Sequence, residues 1–231
     1  MMTETLLLNR ALNCAMAEDY IEWAVERLCE GVDTPNLRIL AGLNPKLEKD
    51  EIESYFRYTC KELNIDSFPR LDEPLTMAGR IKRAYELDEL SAETVVYMMD
   101  QVYTKYYEPL LFVWSLIVEE LSLKGTGHEG CFYPLEEFDS LDAVVQTEFS
   151  LFMRACFLDL PKEFEQFIQC DRCGYIGQSI LSKKDHVSSQ KMYWHLCRQC
   201  SYHKYHSMSD PKVRDIYFKR FEAVSRSNNS M

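Results

Sequence analysis

The sequence predicts a mainly α protein, an irregular helical bundle followed by a small four-cysteine module and a terminal helix. Three observations predict it. Apolar residues recur at helical spacing through residues 1–168. Gly and Pro are scarce, 8 of each in 231 residues, so few breaks interrupt the helices. From Gln169 the pattern changes to two short aromatic and β-branched runs lying between C-x-x-C pairs.

Taken in order, the first strong element lies between Tyr20 and Cys29. Tyr20, Ile21, Trp23, Ala24, Val25 and Leu28 give a buried face, with Glu18, Glu22, Glu26 and Arg27 largely outside. Gly31 suits the position after a helix end. Thr34-Pro35 opens the next helix, with Thr as N-cap and Pro where its missing N–H costs nothing. Leu37, Ile39, Leu40 and Leu43 follow, and Gly42 with Asn44-Pro45 stops it. A helix over Lys49–Leu63 carries Ile52, Tyr55, Phe56, Cys60 and Leu63 on one side. After a break at Pro69–Pro74 come helices near 75–88, 91–105 and 107–123. The last contains Leu110-Leu111-Phe112-Val113-Trp114, apolar all round, and is expected at the centre of the bundle. Residues 124–130 read as a loop. A further helix runs from about Leu141 to Leu158, and Pro161 starts a short one to Ile168. No strict repeat period is present, although helix pairs of this size also fit an irregular solenoid.

In the tail, Tyr175–Leu181 and Lys191–Leu196 have the proportions of a hairpin with a long polar connection. Asp210-Pro211 caps a last helix lined by Val213, Ile216, Tyr217, Phe221 and Val224. The expected division is an acidic helical domain over 1–168 and a basic module with its C-terminal helix over 169–231.

The cysteines carry the one strong motif. Five of the nine (Cys14, Cys29, Cys60, Cys131, Cys156) are scattered, most of them in apolar helical patterns where a thiol acts as a small core residue. The other four form two pairs, Cys170/Cys173 and Cys197/Cys200, with 23 residues between them. Two residues between thiolates let a tight turn aim both sulfurs at one ion, and Gly174 supplies the left-handed position that closes such a turn. Soft thiolates in tetrahedral array favour Zn2+, with an iron centre as the lesser alternative. Four sulfurs fill the coordination sphere, so the expected ion is structural rather than hydrolytic.

With Cys170-Asp171-Arg172-Cys173-Gly174 and Cys197-Arg198-Gln199-Cys200 flanking two short strands, residues 170–205 resemble the zinc-ribbon superfamily. The resemblance implies a small C-terminal zinc ribbon with four cysteine ligands. Members serve nucleic-acid binding, protein docking or plain stabilisation, so it carries fold more firmly than function. Asp19-Tyr20-Ile21-Glu22-Trp23-Ala24, together with Asp33-Thr34-Pro35 through Leu43, is similar to a segment of uncharacterised bacterial proteins, some of immunity type.

Composition narrows the function classes. The apolar fraction, 46%, excludes a disordered chain. The longest apolar run, Pro109–Val118, is about half of the ~20 residues that a membrane helix needs, and it ends at Glu119-Glu120. Glu4 precedes Leu6-Leu7-Leu8 with no basic stretch, unlike a signal peptide. The expected product is soluble and cytoplasmic, with reduced thiols. The net charge of −11 conceals a split. Residues 170–231 carry 11 Lys and Arg against 5 Asp and Glu, a tail of +6, which leaves −17 on residues 1–169. The acidic part suits a basic protein partner, and the basic tail admits nucleic acid.

The weaker signals have plainer readings. His195, His203 and His206 surround the second cysteine pair, and His195 is a substitute ligand only if a thiolate is missing. His128-Glu129 lacks the H-E-x-x-H spacing, since Phe132 stands where the second His would be. Gly125-Thr126-Gly127 has no following G-K-[ST]. Tyr97, Tyr103, Tyr106 and Tyr107 read as core and helix surface. Lys183, Lys184, Lys191, Arg198 and Lys204 with Tyr175, Tyr193, Trp194, Tyr202 and Tyr205 mix cations and aromatics as single-strand binders do. A small ribbon needs such aromatics for its own core as well. With no catalytic motif present, the expectation is a non-enzymatic, zinc-stabilised interaction protein of immunity or regulatory type. Nucleic-acid binding through the basic ribbon is the alternative.

Overall fold

The computed structural model describes residues 3–47, 49–65, 73–124, 126, 132–184 and 192–228. The protein is mainly helical: the described residues form nine α-helices and one four-stranded antiparallel sheet. Two compact units divide the chain, residues 1–106 and residues 107–231. The expected junction at 168/169 therefore falls inside the second unit, where helices on either side of it pack together.

The first unit holds α1 (Thr3–Ala11), α2 (Ala17–Cys29), α3 (Pro35–Ala41), α4 (Lys49–Glu62), α5 (Pro74–Glu86) and α6 (Ala92–Tyr106). The run Leu6–Leu8, weighed above only against a targeting signal, belongs to α1, and all three leucines are buried. Leu6 and Leu7 join Tyr20, Trp23, Leu37, Leu40, Ile52 and Phe56 in one core. Phe56 receives Tyr20 and Trp23 edge-on, with ring centroids 5.1 and 5.2 Å away. Beside this core, Arg10 donates to both carboxylate oxygens of Glu53 at 3.0 Å, and the Tyr20 hydroxyl donates to Oε1 at 2.8 Å.

Gly31 follows α2 with φ +87°, as expected of a residue past a helix end. Thr34 does occupy the N-cap of α3, but its side chain makes no capping bond. Glu62 of α4 does that work, accepting from the Asn36 backbone N–H at 3.1 Å and from Asn36 Nδ2. Val25 and Ile39, placed on apolar faces by their spacing, are exposed. Of the scattered cysteines that are described, Cys60 alone is buried; Cys29, the last residue of α2, and Cys156 are exposed.

In the second unit a 3-10 turn, Pro109–Leu111, runs into α7 (Phe112–Leu123), and α8 spans Leu141–Ala155. α7 is one-sided rather than buried all round: Val113, Trp114, Ile117 and Glu120 are buried, whereas Glu119 and Ser122 are exposed. The Glu120 carboxylate accepts from the amides of Phe132 and Tyr133 at 3.1 and 3.4 Å. The short helix expected over 161–168 is reduced to a 3-10 turn, Phe164–Gln166, and the chain passes directly into β1 (Phe167–Cys170). Alternation explains it: Ile168 and Cys170 are buried while Phe167 and Gln169 are not, the period of a strand.

β2 (Ile176–Lys184) and β3 (Met192–Cys197) form the expected hairpin. β4 (Tyr205–Ser207), which has too few residues to show a pattern in sequence, adds to the other side of β1. The strand order is β3-β2-β1-β4. α9 (Pro211–Asn228) begins where Asp210 Oδ1 accepts from the Lys212 amide at 2.8 Å, and it packs against α8. Leu151, Ala155, Phe164 and Phe218 form the shared core. Within the same unit Arg214 of α9 reaches Glu148 of α8, 2.5 Å from Nη1 to Oε2 and 2.6 Å from Nη2 to Oε1. No helix of the described residues is long and apolar enough to cross a membrane.

Candidate metal centre

Two similar turns build the centre. At the end of β1 the Gly174 amide donates to the Cys170 carbonyl at 2.9 Å, and the Cys170 amide donates to the Tyr175 carbonyl at 2.9 Å. At the end of β3 the Ser201 amide donates to the Cys197 carbonyl at 2.8 Å, and the Cys197 amide donates to the Tyr202 carbonyl at 2.8 Å. Each turn thus repeats the same pair of backbone bonds at the same offsets. Each closes on a residue in the left-handed region, Gly174 at φ +68° and Ser201 at φ +57°. The glycine meets this need without strain; the serine takes it against a steric preference of about 1 kcal/mol.

The turns face one another across β2, since β1 and β3 are both its neighbours. This brings Cys170, Cys173, Cys197 and Cys200 together, with all four sulfurs within 4.8 Å of one another. Cys170 Sγ lies 3.6 Å from Cys200 Sγ, and Cys173 Sγ lies 3.6 Å from Cys197 Sγ. A tetrahedral ion bound by sulfur at about 2.3 Å sets sulfurs about 3.8 Å apart. The cluster therefore has the size and the donor set to hold a metal ion. Cys170 and Cys197 are buried at the strand ends, and Cys173 lies on the exposed side.

Electrostatics agree with that use. Burial pushes the Cys170 thiol up, but the amides of Cys173 and Arg172 outweigh it and bring it down to about 7. The Tyr202 amide favours the Cys200 thiolate, yet burial and the facing sulfurs outweigh that and push it up to about 12. Neighbouring thiolates repel, and a cation among them removes the repulsion. The Gln199 amide also donates to Cys197 Sγ at 3.4 Å, a backbone bond of the kind that steadies a thiolate ligand.

Side chains clamp the two turns together. The Arg172 guanidinium, from the first turn, sits over the Tyr202 ring of the second at 4.7 Å from its centroid. Arg220 of α9 donates from Nη1 to the Gly174 carbonyl at 3.1 Å, tying the first turn to the terminal helix. Neither contact is visible in sequence, because nothing in the spacing relates residue 172 to 202 or 174 to 220.

The three nearby histidines stand apart from the sulfurs. His195 Nδ1 hydrogen-bonds Ser179 Oγ at 2.7 Å, the His203 ring lies against Tyr202, and His206 lies beside Asp171 and Asp210. Among the described residues, the group that gathers metal-ligating atoms consists of the four cysteines. His128 and Glu129, Gly125 and Gly127, Cys131 and Lys191 lie outside the described residues, as do the side chains of Lys183, Lys184, Tyr193 and Trp194. Tyr97 and Tyr107 are exposed, and Tyr106 is half-buried.

No family model, no curated protein and no solved structure matches the chain.

Proposed function

We propose that the chain is a non-enzymatic, zinc-stabilised protein-interaction protein of immunity or regulatory type, acting in the bacterial cytoplasm on a basic partner. The closure of four thiolates around one centre carries the reading. Cys170, Cys173, Cys197 and Cys200 would hold Zn2+, and a shell of four thiolates leaves no position for water or substrate. When bound, the ion supplies folding free energy and no reaction chemistry. The paired turns at the ends of β1 and β3 support a zinc-ribbon assignment for this part of the chain. The excess of acidic residues before Cys170 supports a basic partner, which charge complementarity would steer into contact. Glu18 and Glu22, both on α2, belong to that acidic surface.

Metal analysis of protein purified under reducing conditions tests the first part. About one zinc per chain is expected, falling in Cys170→Ser and Cys197→Ser, and a metal-free wild type overturns it. Affinity capture followed by mass spectrometry tests the second. A basic protein whose association slows between low salt and about 0.5 M, where the Debye length is roughly 4 Å, supports the acidic surface. Charge reversal at Glu18 or Glu22 should lower its association rate. The alternative, nucleic-acid binding through the basic ribbon, draws on the tail's charge of opposite sign. It predicts binding to single-stranded oligonucleotides that weakens steeply with salt through counterion release.

A further inference from the structure

We propose that the outer edge of β3 takes up an extended, acidic segment of a protein partner as an added strand. The backbone defines the edge. The Cys197 amide donates to the Tyr202 carbonyl and the Cys197 carbonyl accepts from the Ser201 amide, each at 2.8 Å. Both bonds lie in the second cysteine turn, so both groups point away from β2. Main-chain groups change sides at each residue of an antiparallel strand. Leu196, Trp194 and Met192 therefore bond to β2, opposite Ile180, Ser182 and Lys184. His195 and Tyr193 turn their amides and carbonyls outward. Among the described residues β2 is the one strand beside β3, and none bonds the outward groups of His195.

An open edge of this kind is a template for a further strand, and folded proteins commonly blunt it with charge or proline. Nothing in Met192–Cys197 does so: its 6 residues include no Asp, Glu, Lys, Arg or Pro. The opposite edge, β4, has only 3 residues to offer. A chain that pairs with His195 and Tyr193 must supply N–H donors and C=O acceptors in alternation, as an added polypeptide strand does. The phosphates of a nucleic acid accept hydrogen bonds and donate none, so they would leave the outward carbonyls unpaired. Charge selects among polypeptides. From His186 to Ser209 the chain carries Lys191, Arg198 and Lys204 and no Asp or Glu. Arg198 and Lys204 are exposed, as is Arg172 of the facing turn. A basic segment, or the same edge of a second copy with its own +6 tail, would be repelled there; an acidic segment is drawn in.

This surface is separate from the acidic one on α2 and adds a second kind of partner, so either can fail alone. The full chain, labelled with 15N, is titrated with acetyl-Asp-Glu-Val-Thr-Val-Thr-Glu-Asp-amide and with a counterpart whose four acids are lysines. The acidic peptide should bind saturably and slow hydrogen exchange at the outward His195 amide, and the lysine peptide should not. N-methylation of the four central residues keeps the charge and removes the donors on both edges of the peptide; it should abolish binding. His195→Pro removes the outward amide and no bond to β2, and should weaken binding about tenfold. His195→Ala keeps the amide and should bind as wild type does. Equal binding of the lysine peptide, undiminished binding of the N-methylated one, or shifts confined to α2 overturns the proposal. So does an edge that responds only to an oligothymidylate, or a His195→Pro chain that keeps its β2 amides protected and binds as tightly as wild type.

Discussion

Replacing Arg214 by Met should be among the most destabilising single changes available in the second unit. Its guanidinium and the Glu148 carboxylate are almost fully removed from water, at 5% and 1% side-chain exposure. Burial alone would lower Arg214, but the Glu148 charge outweighs it and holds the guanidinium protonated. Glu148 accepts two bonds from Arg214 and one from the Tyr133 hydroxyl at 2.6 Å. Arg214→Met removes both arginine bonds and leaves a buried carboxylate facing a single hydroxyl. Breaking one partner of such a pair costs about 3–5 kcal/mol. In urea, where m is about 1–3 kcal/mol/M, that is a fall in midpoint of roughly 2 M. The assay is urea unfolding of the chain by far-ultraviolet circular dichroism. The triple change Tyr133→Phe, Glu148→Leu, Arg214→Met removes the charge, its partner and the orphaned hydroxyl together. It should lie within about 1 kcal/mol of wild type, since apolar replacement of a buried pair is often neutral. A loss under about 1 kcal/mol in the single variant would refute the reasoning, as would a triple variant no better than the single one.

Trp114→Ala should cost about 3–5 kcal/mol by the same unfolding assay, because the ring is fully buried against Phe149 and leaves a cavity. Acid should find two weak points. Burial pushes Glu53 up, but Arg10 and Tyr20 outweigh it and hold it below its usual 4.5; Lys219, then Arg154, hold Asp215 below 3.8 against burial. Folded values below the unfolded ones give stability that is complete above about pH 5 and lost as pH falls through the folded values. An acid titration should therefore show unfolding beginning below about pH 4, with a shallower slope in Glu53→Gln. If the four cysteines hold Zn2+ as proposed, EDTA should abolish the near-ultraviolet signal of the sheet's aromatics and leave most of the helical signal, monitored by circular dichroism at both wavelengths.

Local signals made most of this architecture legible. The helical spacing around Trp23, Phe56 and Trp114 predicts buried faces, and the same residues fill the cores. The paired C-x-x-C turns predict the sulfur cluster, because two residues and a left-handed closer leave the chain little freedom. What sequence did not show depends on partners distant along the chain. Thr34 has the identity of an N-cap, yet Glu62 supplies the carboxylate. Glu120 and Glu148 fall at apolar-face positions of α7 and α8, three residues after Ile117 and Val145, but nothing in the spacing names the donors that satisfy them there, Phe132, Tyr133 and Arg214. β4 is three residues long and exists only because β1 offers it an open edge.

The arrangement of the sulfurs also sets how freely the hairpin can evolve. The ligands sit at the ends of β1 and β3, so an ion held there ties off the 23 residues between Cys173 and Cys197 as a closed loop. The entropy of closing a flexible loop grows only with the logarithm of its length, about 0.6 kcal/mol for each doubling. Residues added at the far tip, beyond the ladder that ends at Lys184 and Met192, would lengthen the loop without moving either turn. Insertions there should therefore be tolerated almost without loss, whereas one residue added within either C-x-x-C turn would misdirect a sulfur. The cysteine end of this module is fixed in length, and its opposite end is free to vary.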